Sequence, residues 1–597
     1  MLCRTGNLLW VGIIAGLLGT GAALPAAAQM TAAAPRLQQA DTAYRAGQAA
    51  LAQRDLAGAR ADFEKVVKLA PQIEEGHSAL GAILVSTGET RRGIVELEKA
   101  LTQKPGDSVA QTNLALAYEQ TGSYRKALPL FEKLDAEARS KAANSPTRTL
   151  SPYLLSAYAR SLAATHQDRA AIMQMKRAAA AAPQNADLWD ALGTLYAQQQ
   201  EWPLAAAQFQ HAIRLQNSLA VAHLHLGVVL GMQKELPQSI VELQRAIQLA
   251  PQEAAGYAEL GNALVAAGHD ADAIPVLQKA LALNPSLPKT QYALAAALQR
   301  NGQEEAAIPL FKQLLKAEPD NAETLTNLGL ALLQTNHAVD AIPLLQRAAL
   351  TSPHDATAHQ NLAAAYLQMN QMDDAARELR LCLKDNPDSP QMHYDLGLAL
   401  KLKDDDADAI PEFKTAERLD PAASEYPFAL GMLYLQDGRY QDAAGNLETA
   451  LKLHPANADG WATLGTVYRN LNQPAKAIAA LRQAIRLAPD EPAPHLTLAT
   501  VLTEQGQTAE AIEQRKIGAD LTRQGMNKQR AEIAINSGNA LLQKGRVADA
   551  LADFEQAIKD DPSSAAAHLG LATALERNGR TVEAAQERRK ASSLNER

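Results

Sequence analysis

The amino-acid sequence predicts an all-α protein, an α-solenoid of about sixteen antiparallel helix pairs, and three observations predict it. A residue pattern recurs every 34 positions, alanine and leucine carry most of a 47% apolar content, and aromatic side chains amount to only 4%. Alanine and leucine are strong helix formers, and small side chains let helices approach closely, so almost no strand is expected. A prior of roughly 150 residues per globular domain would split 597 residues into about four closed cores, but a repeat array is not bound by it.

The pattern is clearest in residues 254–287, through Tyr257, Leu260, Gly261, Leu264, Gly268, Ala273, Leu277, Ala280 and Pro285. With Pro285 placed at position 32, copies begin at 40, 74, 108, 152, 186, 220, 254, 288, 322, 356, 390, 424, 458, 492, 531 and 565. From Pro251 to Pro489 every step between these prolines is 34, and Asn217 keeps the register without one. Two steps are long: Pro105 to Pro183 is 78 and Pro489 to Pro562 is 73, which mark insertions.

Each slot has a physical reason. Position 20 is alanine in fourteen copies, Ala273 and Ala341 among them, and the exceptions Gly93 and Ser239 are also small, so the facing helix comes closest there. Position 8 is glycine or alanine for the same reason. Glycine at position 15, as in Gly268, ends the first helix in a left-handed cap, for which Asn336, Asn370 and Asn472 substitute. Proline at position 32 stops the second helix. Pro129, Pro275, Pro309, Pro343 and Pro411 are expected near the first turn of the second helix, where a missing N–H costs little. One such hairpin cannot bury its apolar face, so the copies lean on their neighbours.

In chain order, residues 1–28 read as an export signal: Arg4 in a short basic segment, an apolar run from Leu8 to Ala23, and Ala26-Ala27-Ala28 before a cleavage point. The alternative is an uncleaved anchor, because the run approaches the roughly 20 residues that span a bilayer. Residues 29–39 read as a linker, 40–141 as a first block of repeats, 142–151 as an inserted loop, 152–525 as a second block, and 526–597 as a C-terminal block and cap. Residues 521–535 read as lengthened helix joining two copies, and bending is expected between the three blocks. Removal of the signal would leave Cys382 alone, so stability must come from packing and not from an intramolecular disulfide.

A net charge of -8 and a pI near 6.0 offer nucleic acid no basic footprint. His223, His359, His393, His495 and His568 share position 4 with Trp189, Tyr257 and Trp461, and so read as flat side chains packed between helices. His223 and His225 stand two apart and point to different faces, which argues against a zinc pair. Asp404, Asp405, Asp406 and Asp408 lack the glycine and glutamate of a calcium loop and read as a solvated turn. Cys382 stands at position 27, normally alanine, and reads as a buried small residue. No nucleophile elbow, phosphate loop or dinucleotide motif occurs, so no catalytic residue, cofactor, metal or small-molecule substrate is assigned.

The 34-residue period and its slots resemble the tetratricopeptide repeat family over residues 40 to 597. The resemblance implies a right-handed superhelix whose inner wall is made by the first helix of every copy. It also implies protein or peptide partners held on positions 2, 5, 6, 9, 12 and 13 of that helix. Chaperone-binding members clamp a carboxylate with lysine or arginine at 5 and asparagine at 9, a pair no copy has: position 5 is Leu224, Ala258, Tyr292, Thr326, Gln360, Tyr394 and Phe428 through the centre. Position 6 carries Asn327, Asn361 and Asp395 in successive copies, resembling the asparagine ladder with which some members grip a peptide backbone. An amide both donates to C=O and accepts from N–H. His225, Glu259 and Asn262 extend the stripe, with Tyr292 and Tyr394 beside it; the alternative is that these polar residues merely keep a groove wet. The expected protein is an exported, non-catalytic scaffold. A second reading is an accessory subunit of an envelope assembly, secretion or polysaccharide-export machine in contact with a membrane-embedded complex, and a third is an enzyme with an unrecognised site.

Overall fold

The structure, a computed structural model, describes residues 34–142 and 150–595. The export signal at 1–28 lies outside them. The described residues form 31 helices and no strand. Sixteen pairs would give 32 helices; one is lost because the second helix of copy 492 and the first of copy 531 fuse into Thr508–Gln543.

The hairpins form as their slots require. In the copy at 254 the first helix runs Ala254–Ala266, Gly268 turns the chain at φ +76, and the second helix runs Asp270–Leu283. Glycine is not obligatory at that turn: Asn336, Asn370 and Asn472 adopt it at φ 60, 57 and 56, and so do Arg54, His166, Gln200, Lys234 and Asp404. A side chain there costs about 1 kcal/mol, which neighbouring packing offsets. The internal prolines lie deeper than expected. Pro275, Pro309, Pro343 and Pro411 are each the sixth residue of their helix, so each removes a hydrogen bond. All four are exposed, the carbonyl each frees can be hydrated, and the helices run on unbroken.

Between the two helices the contact is tight. Ala273 and Ala341 are fully buried at position 20, and a Cβ on Gly261 would sit 2.3 Å from Leu277 Cδ2. A large side chain at position 24, such as Phe63, Phe209, Phe311 or Phe413, fills each hairpin core. Full burial of such a group stabilises by roughly 1.5–3 kcal/mol.

Three boundaries differ from the sequence expectation. Residues 34–39, read as linker, already belong to the helix Ala34–Ala52. Within the loop expected at 142–151, Ala142 closes the helix Tyr124–Ala142, 143–149 lie outside the described residues, and Ser151 Oγ accepts from the Leu154 N–H to start the next copy. The boundary expected at 525/526 falls inside the continuous helix Thr508–Gln543. The chain divides after Leu314 into two compact units. The insertion does not divide the first unit, because Arg177 reaches back across it to a buried Asp135.

Candidate partner-binding wall

Within each unit, several successive first helices touch one another, as Glu74–Ser86 touches Ser108–Gln120 and Ala322–Gln334 touches Ala356–Gln368. No two successive second helices meet as closely among the described residues. Where they touch, the closer spacing puts the first helices on the inner side.

His225, Glu259, Asn262, Tyr292, Asn327, Asn361, Tyr394 and Asp395 all stand half-buried on these helices. Four belong to each unit. Several are already engaged within the wall. His225 Nδ1 lies 2.9 Å from Asp190 Oδ1 on the preceding copy, and its ring packs against Phe209 at 5.3 Å. Asp395 accepts from Gln391 Nε2 at 2.9 Å and from Gln360 of the preceding copy. Burial pushes the Asp395 carboxyl above its ordinary range, against the pull of the two amides. Asp190 with His225 and Gln360 with Asp395 are the same geometry: position 5 of one copy meets position 6 of the next. Polar residues 35 apart were the legible signal for this pairing, and neither Asp190 nor Gln360 was singled out from the sequence.

The tyrosines are packed by their rings. Tyr292 meets Phe311 at 5.9 Å, and Tyr394 meets Phe413 at 5.7 Å and Tyr426 at 5.3 Å. Asn327 Nδ2 donates to the Glu323 carbonyl of its own helix at 3.0 Å. Asn361 differs: its Nδ2 is buried with no hydrogen-bond partner. A buried amide N–H left unmade costs about 1–3 kcal/mol, a cost that donation to a carbonyl oxygen would relieve. Leu330, Leu367 and Leu398 stand half-buried on the same stretch of wall.

Position 4 does pack between helices, and it does more. His359 Nδ1 lies 2.7 Å from Glu378 Oε2, and its Nε2 lies 3.2 Å from the Pro353 carbonyl. The same clip forms at His77, His223, His393 and His568, and at His495 with Gln514 in place of the glutamate. Trp189 and Trp461 donate Nε1–H to the carbonyls of Pro183 and Pro455 at 3.0 and 2.9 Å. Position 4 therefore staples each of these copies to the turn before it. A histidine followed 19 residues later by a carboxylate was readable, yet His77 and the glutamates went unnoticed. Cys382 is buried as expected, and burial raises its thiol to about 11, far from a reactive thiolate.

Helical hairpins stacked side by side, with one helix of each lining a wall of aromatic, amide and small polar side chains, define a repeat scaffold. Tetratricopeptide repeat models match residues 40–73, 261–302, 292–357, 332–396 and 535–591. The cytochrome c-type biogenesis protein H TPR domain matches 434–539. The chain belongs to the tetratricopeptide repeat family, and an array of this kind binds protein or peptide partners. Cellulose synthase operon protein C of Xanthomonas axonopodis pv. citri is 35% identical over 107 residues, which are 18% of this chain and 7% of that protein. The crystal structure of the APC/C hetero-tetramer Cut9-Hcn1 aligns over 95% of this chain and 99% of its own, at 16% identity and a TM-score of 0.33. That of YrrB, a TPR protein with an unusual peptide-binding site, aligns over 31% and 95%, at 21% identity and a TM-score of 0.29.

Proposed function

We propose that this chain is an exported, non-catalytic scaffold that holds an extended segment of a partner protein along the first helices of residues 322–423. The observation that carries this reading is the unpartnered Asn361 Nδ2, on a series of helix faces that also carries half-buried leucines: a peptide carbonyl would satisfy the amide while apolar side chains cover the leucines. Asn327 supports the grip by exchanging its local bond for one to the peptide. His225 and Asp395 act as positioning groups, since their polar atoms already join neighbouring copies. Affinity then arises from many weak contacts along the wall.

The experiment is photo-crosslinking from position 361, with identification of the captured protein, followed by titration of that protein against variants. Asn361→Ala should weaken binding about tenfold, the value of one hydrogen bond in a desolvated groove, with an unchanged melting transition. Asn327→Ala should weaken it less. Unaltered affinity in Asn361→Ala rules out the amide grip.

A second reading is an accessory subunit of an envelope assembly or polysaccharide-export machine. It is favoured by the local 35% match to a cellulose synthase operon protein and by the match to a cytochrome c biogenesis domain. Capture of membrane-embedded synthase or barrel subunits from an envelope fraction favours it, whereas soluble exported clients favour the first reading. No described helix is long and apolar enough to cross a membrane.

A further inference from the structure

The long helix Thr508–Gln543 interrupts the stacking, and the interruption leaves two faces open in the middle of the chain. In every copy with a successor stacked on it, the second helix presents positions 21 and 28 to the next first helix. Both positions are buried or half-buried in all copies but two: the last, where nothing follows, and copy 492, where Ile512 and Ala519 are exposed. Positions 3, 7 and 10 of the first helix receive the preceding copy. They are exposed only in the first copy and in copy 531, at Ile533, Ser537 and Ala540. The residue types agree: position 24, a large apolar group elsewhere, is arginine in the last copy (Arg588) and in copy 492 (Arg515). Copy 492 thus ends one stack and copy 531 begins another, because the chain runs straight on where it would otherwise fold back.

Along this helix Ile512, Met526 and Ile533 are 60%, 56% and 63% exposed, and with Ala519 they recur every seven residues. A seven-residue period keeps them on one face over a rise of about 32 Å. Lys516, Arg523 and Arg530 repeat at the same spacing, about 40° round the helix from the stripe. In the free protein Arg523 bonds Asp520 at 2.7 Å, and Arg530 bonds Asn527 and lies 3.7 Å from Asp560. An exposed pair such as Arg523 with Asp520 is worth about 0–1 kcal/mol and is readily exchanged.

We propose that this face docks a single amphipathic helix of a partner protein, aliphatic on one stripe and acidic on the adjoining flank. Elsewhere in the chain the same two helix faces meet a helix, so helix-on-helix packing is what they are shaped for. The flank decides the occupant. A second copy laid antiparallel would set the two basic rows side by side, whereas glutamates at every seventh residue of a partner helix face lysine and arginine. The surface is separate from the wall of residues 322–423 and does not rest on its occupancy.

The test uses the full chain and two fluorescent helical peptides of about four heptads, identical in their leucine stripe and flanked by glutamate in one and lysine in the other. The glutamate peptide should bind at least about tenfold more tightly, with the preference falling in high salt. Met526→Glu should abolish binding while leaving the melting transition unchanged, since the side chain is exposed. The pair Lys516→Glu with Arg523→Glu should reverse the preference to the lysine peptide. Equal binding of the two peptides, binding of neither, or binding untouched by Met526→Glu overturns the proposal. So does a dimer of the chain that Met526→Glu dissociates, which would make a second copy the occupant.

Discussion

Ala341→Trp is expected to unfold the copy at residues 322–355 while leaving distant copies folded. Ala341 is fully buried at the point where its helix crosses Ala322–Gln334, and the facing Gly329 has no room for even a Cβ, which would sit 2.5 Å from Leu345 Cδ2. An indole there can be accommodated only by parting the two helices, at a cost above about 3 kcal/mol. Stability in a solenoid is a sum of repeat and nearest-neighbour interface terms, so the damage stays local. Hydrogen exchange should show amides of 322–351 losing protection while those of 74–103 keep theirs. Ala341→Gly, which leaves the space empty and only loosens the helix, should cost about 1 kcal/mol. Wild-type protection in Ala341→Trp would mean that the helices do not pass this closely.

Arg177→Ala should lower stability by about 3 kcal/mol, because it strips a buried carboxylate of its main partner. Asp135, 5% exposed, receives Arg177 Nη1 and Nη2, each at 2.9 Å, and Arg139 at 2.6 Å. Burial works to raise the Asp135 carboxyl, but the two guanidinium groups outweigh it and hold the group below its ordinary range. A depressed carboxylate contributes stability that is present above its unfolded value and is lost as pH falls through the folded one. The gap between wild type and Arg177→Ala should therefore be widest at neutral pH and close in acid, as read by denaturant titration. Asp135→Leu with Arg177→Leu should recover most of the loss, since position 28 is apolar in other copies, as at Ile247, Leu281 and Leu451. Equal stability of Arg177→Ala and wild type at neutral pH would show that the pair does not tie the copies flanking the insertion.

The fold was legible because every recurring slot answers a local demand. Alanine at position 20, glycine at 8 and proline at 32 each act within one hairpin, so counting by 34 located helices that the structure places to within a residue through the regular copies. Expectations failed where a residue answers a neighbour in place of its own hairpin. Pro275 was placed too early because its tolerance depends on which side of the helix meets solvent. Arg515 and Ser537 stood in plain view at positions 24 and 7, but only their exposure shows that they mark an end and a beginning.

The wall divides the same way. Its eight candidate residues are all half-buried, yet the sequence could not say which of their polar atoms are engaged within the wall. His225 is engaged by Asp190 and Asp395 by Gln360, across 35 residues, while Asn361 keeps an unmade donor. Sequence by itself determined the helices, their order and the family, because periodicity and capping are short-range and repeat sixteen times. Only the tertiary structure decided which polar groups the wall consumes, because hydrogen bonding between copies depends on stacking geometry, and no single copy encodes that.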